Sequence, residues 1–518
     1  MTVASSRVSE QLITSPVFRV RGQRSGYTYP NENLTPEHCE VLRDVNISER
    51  GIAQSRYGTA YYNSTVLAGS EVATGLWQGT FKNGDVKQVI VTPTKVYSDD
   101  GTTRVDITGA DLAGGADDRV QFVFVKDTLI INNAVDDPRT WGGDDTTPTN
   151  TADLTTIPFT KCNAMMVHQN LLIAMGTTES GTYFPTRFRW CDINRQNYVV
   201  DINTWLTDDF YEIYDGGPAI VGGVDNWGLA LVFKEDGVYP GQIVYGPLGY
   251  YDFQLGQPQH GFSPVSNMSL VARPEFVFGV AREGIFVLRP DMSFEIVNTH
   301  DSDEWFGLNQ GRLKFAQSYV REKDHQVRTI VSSSGNTTNH DLELVWDWED
   351  GDLWLDRPSV KKNYVRSAIV SNEELDWFAG TDSYLYQGNK STYLDDNGTG
   401  FNWRIKMTPN DLDLPGVNKH FVNLVTLHRK RAGAQILNVK AHINEGRSGI
   451  ASGQLMVGAE YQWNTGIKWN SGKKWPGATS KRADFFVNLT GETIAPEWSS
   501  DDPANVIGYQ VEYIPLEG

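Results

Sequence analysis

The sequence predicts an all-β chain: a multi-bladed β-propeller, with an N-terminal extended arm before it and a C-terminal β-sandwich-like domain after it. Three observations carry this. Between about residue 65 and residue 400 one unit recurs, a strand of alternating or continuous apolar residues, a short polar turn, and a second strand. That region shows no 3.6-residue apolar period of the kind an amphipathic helix needs. The composition, with 49 Gly, 22 Tyr and 22 Phe in 518 residues, suits pleated, half-buried strands joined by tight turns.

The elements follow in chain order. Residues 1–31 are polar, carry scattered basic side chains and have no period, which reads as an extended arm, disordered or ordered only against a neighbour. Thr35-Pro36-Glu37 offers the cap and first-position proline of a short helix. Arg43 to Asn46 and Arg56 to Tyr62 read as short strands around Gly51 and Gly58. The recurring hairpins are then VIVTPTKVY (Val89–Tyr97), QFVFVKDTLIIN (Gln121–Asn132), MMVHQNLLIAMG (Met165–Gly176) and LVFKEDGVY (Leu231–Tyr239). FVFGVAREGIFVL (Phe276–Leu288), LVWDWEDGDLW (Leu344–Trp354) and WFAGTDSYLY (Trp377–Tyr386) complete the series. Asp236-Gly237, Glu283-Gly284 and Asp350-Gly351 supply the conformational freedom that hairpin turns require.

One twisted antiparallel sheet cannot bury both of its faces. Sheets stacked radially cover one another, and a closed ring leaves only short edges, so repeats at this spacing point to a propeller. A β-sandwich of similar length would produce similar hairpins, and the degenerate repeats do not fix a blade count. The propeller is placed at 32–410. At 411–518 the strands lengthen (HFVNLVTLHRK, AQILNVKAHIN, DFFVNLTG, NVIGYQVEYIPLEG) and the loops between them grow, which suggests the sandwich-like domain.

Charge and motifs exclude several functions. With 45 basic against 64 acidic residues the chain carries a formal charge of −19, which disfavours tight nonspecific nucleic-acid binding while leaving a polyanion free to slide past. Cys39, Cys162 and Cys191 are odd in number and show no CxxC spacing, so neither a disulfide framework nor a zinc site is expected. MTVASSRVSEQ lacks the pattern of a secretory signal, and no eighteen-residue apolar run marks a membrane span. The Asn-x-Ser/Thr triplets at Asn63, Asn397 and Asn488 then meet no glycosylating compartment. No GxSxG, HExxH, P-loop or strand-linked GxGxxG occurs. The expectation is a protein that is not an enzyme and needs no cofactor or metal. His168 and His428 read as packed or solvated residues. The clusters Asp208, Asp209, Glu212, Asp215 and Asp301, Asp303, Glu304 read as acidic loops, without the spaced ladder of a calcium loop. Asp396-Asn397-Gly398-Thr399-Gly400-Phe401 partly matches the aspartate box of sialidase propellers. It lacks the leading Ser/Thr, so it is read as a turn with Asn397-Gly398 at the bend.

Two surface features stand out. In WNTGIKWNSGKKW, Trp463, Trp469 and Trp475 alternate with Lys468, Lys473 and Lys474. This is either an aromatic and cationic contact surface or a pair of loops whose tryptophans pack on their own sheet. The run His428-Arg429-Lys430-Arg431 at a strand end is either an edge kept from stray pairing or a set of cations for an acidic neighbouring subunit. Arg429, Lys430, Arg431 and the three tryptophans are the candidate partner contacts.

Asn46 within RDVNISERG, Gly51, and Arg56-Tyr57-Gly58 followed by Tyr61-Tyr62 form one set of recognisable residues. The run from Val89 to Gly109, and WFAGTDSYLYQG ahead of Asp396-Asn397-Gly398-Thr399, form the others. With these, residues 32 to about 430 resemble the tail proteins of short-tailed bacteriophages, and among them the propeller-bearing nozzle, or head-to-tail stabilisation, family. The resemblance implies a structural virion protein, made in the bacterial host cytoplasm and assembled as a homo-oligomeric, usually hexameric, ring. Such a ring sits below the portal and adaptor proteins and extends the DNA channel for genome ejection. It lets genomic DNA pass without sequence-specific binding and docks tail fibres or spikes. No catalytic residues come with it. Two alternatives remain, a receptor- or glycan-binding propeller and a glycan-degrading tail spike, the second needing a pair of carboxylates in a cleft.

Overall fold

The computed structural model describes residues 12–20, 37–47, 52–145, 150–194, 199–214, 217–245, 251–297, 305, 307–370, 373–429, 435–457 and 482–516. The chain forms two compact units, one of Met1–Gly58, Val345–Ser359 and Ser391–Gly518, the other of Thr59–Leu344 and Val360–Lys390.

The second unit is a β-propeller. Among the described residues seven antiparallel sheets of four or five strands follow one another along it, and a two-stranded sheet, Ile193–Asn194 with Val199–Val200, is inserted in the third. Numbered by their first strands, blades 1 to 7 begin with Gly75–Thr80, Gln121–Val125, Lys161–His168, Ile220–Asn226, Val271–Arg273, Gln317–Arg321 and Lys362–Val370. Each first strand touches that of the next blade, and Lys362–Val370 touches Gly75–Thr80, so the cycle closes. Later strands lie progressively outward, as in blade 1, where Val86–Val91, Val96–Asp99 and Arg104–Asp106 follow in order. In blade 6 the third strand, Leu342–Asp347, carries the chain out of the unit after Leu344. Blade 7 takes its outermost strand from the other end of the propeller sequence. Thr59–Asn63 pairs antiparallel with Leu385–Gly388, Ala60 opposite Gln387 and Thr59 opposite Gly388. The all-β propeller expected from the repeats is therefore present, and its last blade is completed by its earliest strand.

Packing between blades explains the hydrophobic runs. Every residue of Phe276–Val280 and Ile285–Leu288 is buried, because a central strand of a blade is covered by a neighbouring sheet on each face. Trp77, Val89, Leu129 and Trp141 pack blade 1 on blade 2; Leu231, Phe233, Val277 and Phe286 pack blade 4 on blade 5. Leu76, Ile90, Tyr364 and Trp377 pack blade 7 on blade 1. Each fully buried side chain of this size contributes about 1.5–3 kcal/mol. Two glycine-free hairpins turn through a pair of residues at positive φ: Lys126-Asp127 (φ 48° and 65°) in blade 2 and Gln169-Asn170 (φ 48° and 68°) in blade 3. Both central residues have the positive φ of a type I′ turn. His168 ends a strand just before such a turn; it is fully buried, with Nδ1 2.9 Å from Asp225.

The first unit holds the β-sandwich. One sheet orders Cys39–Arg43, Trp403–Met407, Ile494–Ser500, Gln435–Ile443 and Gly449–Val457. The other orders Val45–Ile47, Ala53–Ser55, Asn505–Pro515, Lys419–Arg429 and Arg482–Gly491. Trp403, Ile405, Leu437, Val439 and Trp498 from the first meet Phe421, Leu424, Val487, Tyr509 and Val511 from the second in one core. The Trp498 indole donates across that core to Thr426 Oγ1 at 2.9 Å.

Three expectations are refined here. The arm is extended, and Leu12–Val20 lies on the chain's own sandwich: Ile13–Thr14 and Phe18–Arg19 pair with Asn505–Pro515, and Phe18 lies 5.1 Å from the Tyr509 ring. An exposed strand edge is thereby covered from within the chain rather than by a neighbour. Residues 1–11 and 21–31 lie outside the described residues, as do Thr35 and Pro36. At Glu37 no helix runs on, because Cys39–Arg43 is taken up as a sheet strand. The strand expected over Arg56 to Tyr62 is split: Arg56 to Gly58 leave the ladder, and the strand starts at Thr59.

Candidate functional site

The first strand of each blade presents an edge toward the axis, with backbone groups that have no further strand to pair with. Glutamine amides answer part of this. Gln317 accepts from the Val365 N–H at 3.1 Å and donates to its carbonyl at 2.6 Å, joining blades 6 and 7. Gln78 does the same with Ile369 at 2.9 and 3.1 Å, joining blades 1 and 7. Gln121 accepts from Met165 N–H at 2.7 Å and donates to its carbonyl, joining blades 2 and 3. A primary amide has one donor and one acceptor side, so it imitates a strand neighbour. These glutamines line a cavity of about 570 Å³ together with Phe122, Val224, Asn267, Tyr319, Glu322 and Arg366. That volume is in the range of small-ligand sites.

Behind Tyr319 lies a fully buried polar cluster between blades 6 and 7. The Tyr319 hydroxyl donates to Glu343 at 2.5 Å and approaches Asp376 at 3.0 Å. Arg321 Nε donates to Asp376 at 2.8 Å, Lys362 Nζ to Glu343 at 3.0 Å and Arg328 to Glu343 at 3.3 Å. Burial alone would raise the Glu343 carboxyl, but Lys362, Arg328 and Arg321 outweigh it and hold the group well below the usual range. Burial, then Asp376 and Glu343, drive the Tyr319 phenol far above its ordinary value. His340, at a neighbouring turn, is pushed down to about 3 by burial and by Arg119 and Arg312. None of these three groups changes charge near neutral pH, so none is tuned for proton transfer there. Among the described residues no group of three His, Cys, Asp or Glu side chains could hold a metal ion.

A second buried node, in the sandwich unit, joins two of the motifs singled out in the sequence. Arg56 donates through Nη1 and Nη2 to the two Asp396 oxygens at 2.8 and 2.5 Å, and through Nε to Asp44 at 2.7 Å. Its guanidinium stacks 3.9 Å above the Phe401 ring. Asp396 starts the turn expected at Asn397-Gly398: Asp396 and Thr399 exchange both backbone hydrogen bonds, with φ of 51° and 84° at the two bend residues. Gly58 packs so closely there that a Cβ would fall 1.8 Å from the Asp395 carbonyl oxygen. Burial, with Asp356 and Asp396 adding to it against the pull of Arg56, pushes the Asp44 carboxyl up to about 6.

The candidate contact residues fare unevenly. Trp463, Trp469, Trp475, Lys430 and Arg431 lie outside the described residues. Arg429 closes the strand Lys419–Arg429 opposite Asn505, and His428 before it is buried, its imidazole lowered by that burial. Of the acidic clusters, Glu212 is ion-paired with Arg187 at 2.9 Å and Asp209 is buried, so these two are structural rather than solvated; Asp215, Asp301, Asp303 and Glu304 lie outside the described residues. The sequence reading missed three exposed tyrosines in and just after the outer strands of blade 3. Tyr183 and Tyr211 are exposed, and Tyr214 is 84 % exposed. It also missed Arg366 and the axial glutamines. Spacing offered no signal for either group, since each depends on which strand becomes innermost.

No family model and no curated protein matches the chain. Solved structures similar to it include the Neurospora crassa Pan2 WD40 domain, at 11 % identity and TM-score 0.40 over 66 % of this chain and 97 % of that one. The WD40 β-propeller domain of Doa1 is similar at 9 % identity and TM-score 0.37, over 64 % of this chain and 97 % of that chain.

Proposed function

We propose that the chain is a structural protein of a bacteriophage tail, a subunit of a homo-oligomeric nozzle ring, without chemistry of its own. The observation that carries the reading is the Arg56 node. Arg56, Gly58 and Asp396 belong to the short motifs that resemble the phage nozzle family, and all three are buried together in one tightly fitted arrangement. Residues separated by hundreds of positions that meet in this way give those short motifs one shared structural role, which supports the reading. The charge of −19 suits a channel wall that must not retain DNA. The exposed tyrosines of blade 3 are of the residue type enriched in subunit contacts.

Electron microscopy and mass photometry of the purified full chain test this. The expected result is a ring of identical subunits with an open central channel, each interface burying well above ~1,000 Å². Replacing Tyr183, Tyr211 and Tyr214 together by Ser should weaken the ring without unfolding the subunit. A protein that stays monomeric at high concentration, and is absent from purified phage particles, would overturn the reading. Release of reducing sugar from host polysaccharide would favour the glycan-degrading alternative instead.

A further inference from the structure

The axial cavity of the propeller is lined by charged and polar groups whose partners can be followed one by one. The three glutamines have both sides of their amides committed to neighbouring backbone. Glu322 is ion-paired with Arg273, and Glu374 accepts from the amides of Glu322 and Lys323 and from Ser367. The acceptors of the wall are thus satisfied. Donors are left over. Arg366, half-buried in the wall, has no carboxylate within ion-pair distance and no hydrogen-bond acceptor among the described residues. Asn267 accepts from the Gly223 N–H at 3.0 Å, while its own amide hydrogens meet no acceptor among the described residues.

We propose that this cavity binds a carboxylate carried on an apolar body, with Arg366 as its counter-ion. A guanidinium presents a planar fork that meets a carboxylate with two parallel hydrogen bonds, and the pair strengthens away from water. Burial, opposed only by Tyr364 nearby, holds Arg366 below its ordinary range, as an uncompensated cation in this wall should be. Phe122, Val224, Met268 and Leu270 give the body of the ligand an apolar wall beside that head group. One guanidinium and about 570 Å³ suit a single carboxylate better than a polyanion. The carboxylate has two possible sources, a free organic acid or an Asp or Glu side chain at the tip of a partner's loop. The inference concerns the propeller alone and does not depend on ring assembly.

The test is isothermal titration of the purified full chain with phenylacetate, with the blocked dipeptide acetyl-Phe-Glu-amide, and with neutral phenylacetamide. Saturable binding of phenylacetate assigns the free-acid source, and binding of the dipeptide alone assigns the partner loop. In either case phenylacetamide does not compete, and Arg366→Gln weakens binding about tenfold or more. Arg366→Lys keeps the charge, loses the fork, and weakens binding less than Arg366→Gln, which guards against a variant that merely misfolds. The proposal is overturned when neither carboxylate binds at about 10 mM, a concentration that detects even weak sites. It is equally overturned when binding survives Arg366→Gln unchanged, or when the amide binds as well as the acid.

Discussion

Arg56 holds both carboxylate oxygens of Asp396, at 2.8 and 2.5 Å, across a sequence separation of 340 residues. The pair is buried, and the same guanidinium also reaches Asp44 and covers Phe401. A shared, desolvated cation of this kind fixes the relative position of the early segment and the Asn397-Gly398 turn within one unit.

Removing that cation leaves two buried carboxylates without compensation. Arg56→Met should therefore destabilise the sandwich unit by about 3–5 kcal/mol. Arg56→Lys should recover only part of this, because an ammonium cannot bind Asp396 through two parallel hydrogen bonds and reach Asp44 as well. Urea unfolding followed by the fluorescence of the buried tryptophans measures both.

The Asp44 carboxyl gives this unit a particular pH dependence. Its folded value, about 6, lies above the ordinary 3.8. The folded state binds this proton more tightly than the unfolded state, so the contribution is largest at low pH and is lost as pH rises from about 4 to about 6. The tighter proton binding is worth about 3 kcal/mol at most. Urea midpoints between pH 4.5 and 7 should fall with rising pH in the wild type and fall less steeply in Asp44→Asn, where Asp347, also raised to about 6 by burial, still contributes.

In the propeller the sign is reversed. Glu343 and Asp376 are held below their ordinary 4.5 and 3.8 by Lys362, Arg328 and Arg321. Their stabilisation is complete above about pH 4.5 and is lost as pH falls toward the folded values. Glu343→Gln leaves Lys362 and Arg328 buried against a neutral amide, and should cost about 3–5 kcal/mol at pH 7 while weakening the acid sensitivity. Calorimetric scans of wild type and variant at pH 3.5 and 7 show whether it does.

The axial glutamines differ in burial, and their loss should scale with it. Gln317 is buried, so Gln317→Leu strands the Val365 N–H and carbonyl and should cost about 2–4 kcal/mol. Gln78 is more open to water, and Gln78→Leu should cost about 0.5–1 kcal/mol. Equal effects in denaturant titrations would mean that the amides do not act as strand neighbours.

Much of the propeller was legible in the sequence because a blade's central strands are covered on both faces. Continuous runs such as Phe276–Val280 and Leu171–Gly176 record that covering directly. The Asn397-Gly398 turn was legible for a similar local reason, since positive φ at two successive residues leaves a residue-type signature. Closure of the ring was not. Thr59–Asn63 differs in no local property from any other short strand, and its partner Leu385–Gly388 lies beyond the reach of periodicity. Nor was the assembly of the sandwich unit from three separate segments, because contacts at such separations leave no pattern within either segment. Arg366 and the axial glutamines were missed for the same reason: their role follows from a position next to the axis, which only the closed ring defines.

Everything rests on seven sheets closed into a ring by a strand from the start of the propeller segment. Hydrogen exchange followed by mass spectrometry on the full chain tests that most directly. The amides of Thr59–Asn63 should exchange as slowly as those of Leu385–Gly388 and open together with blade 7 as denaturant is added. Rapid exchange of 59–63, with Leu385–Gly388 still protected, would show an open ring and contradict the account.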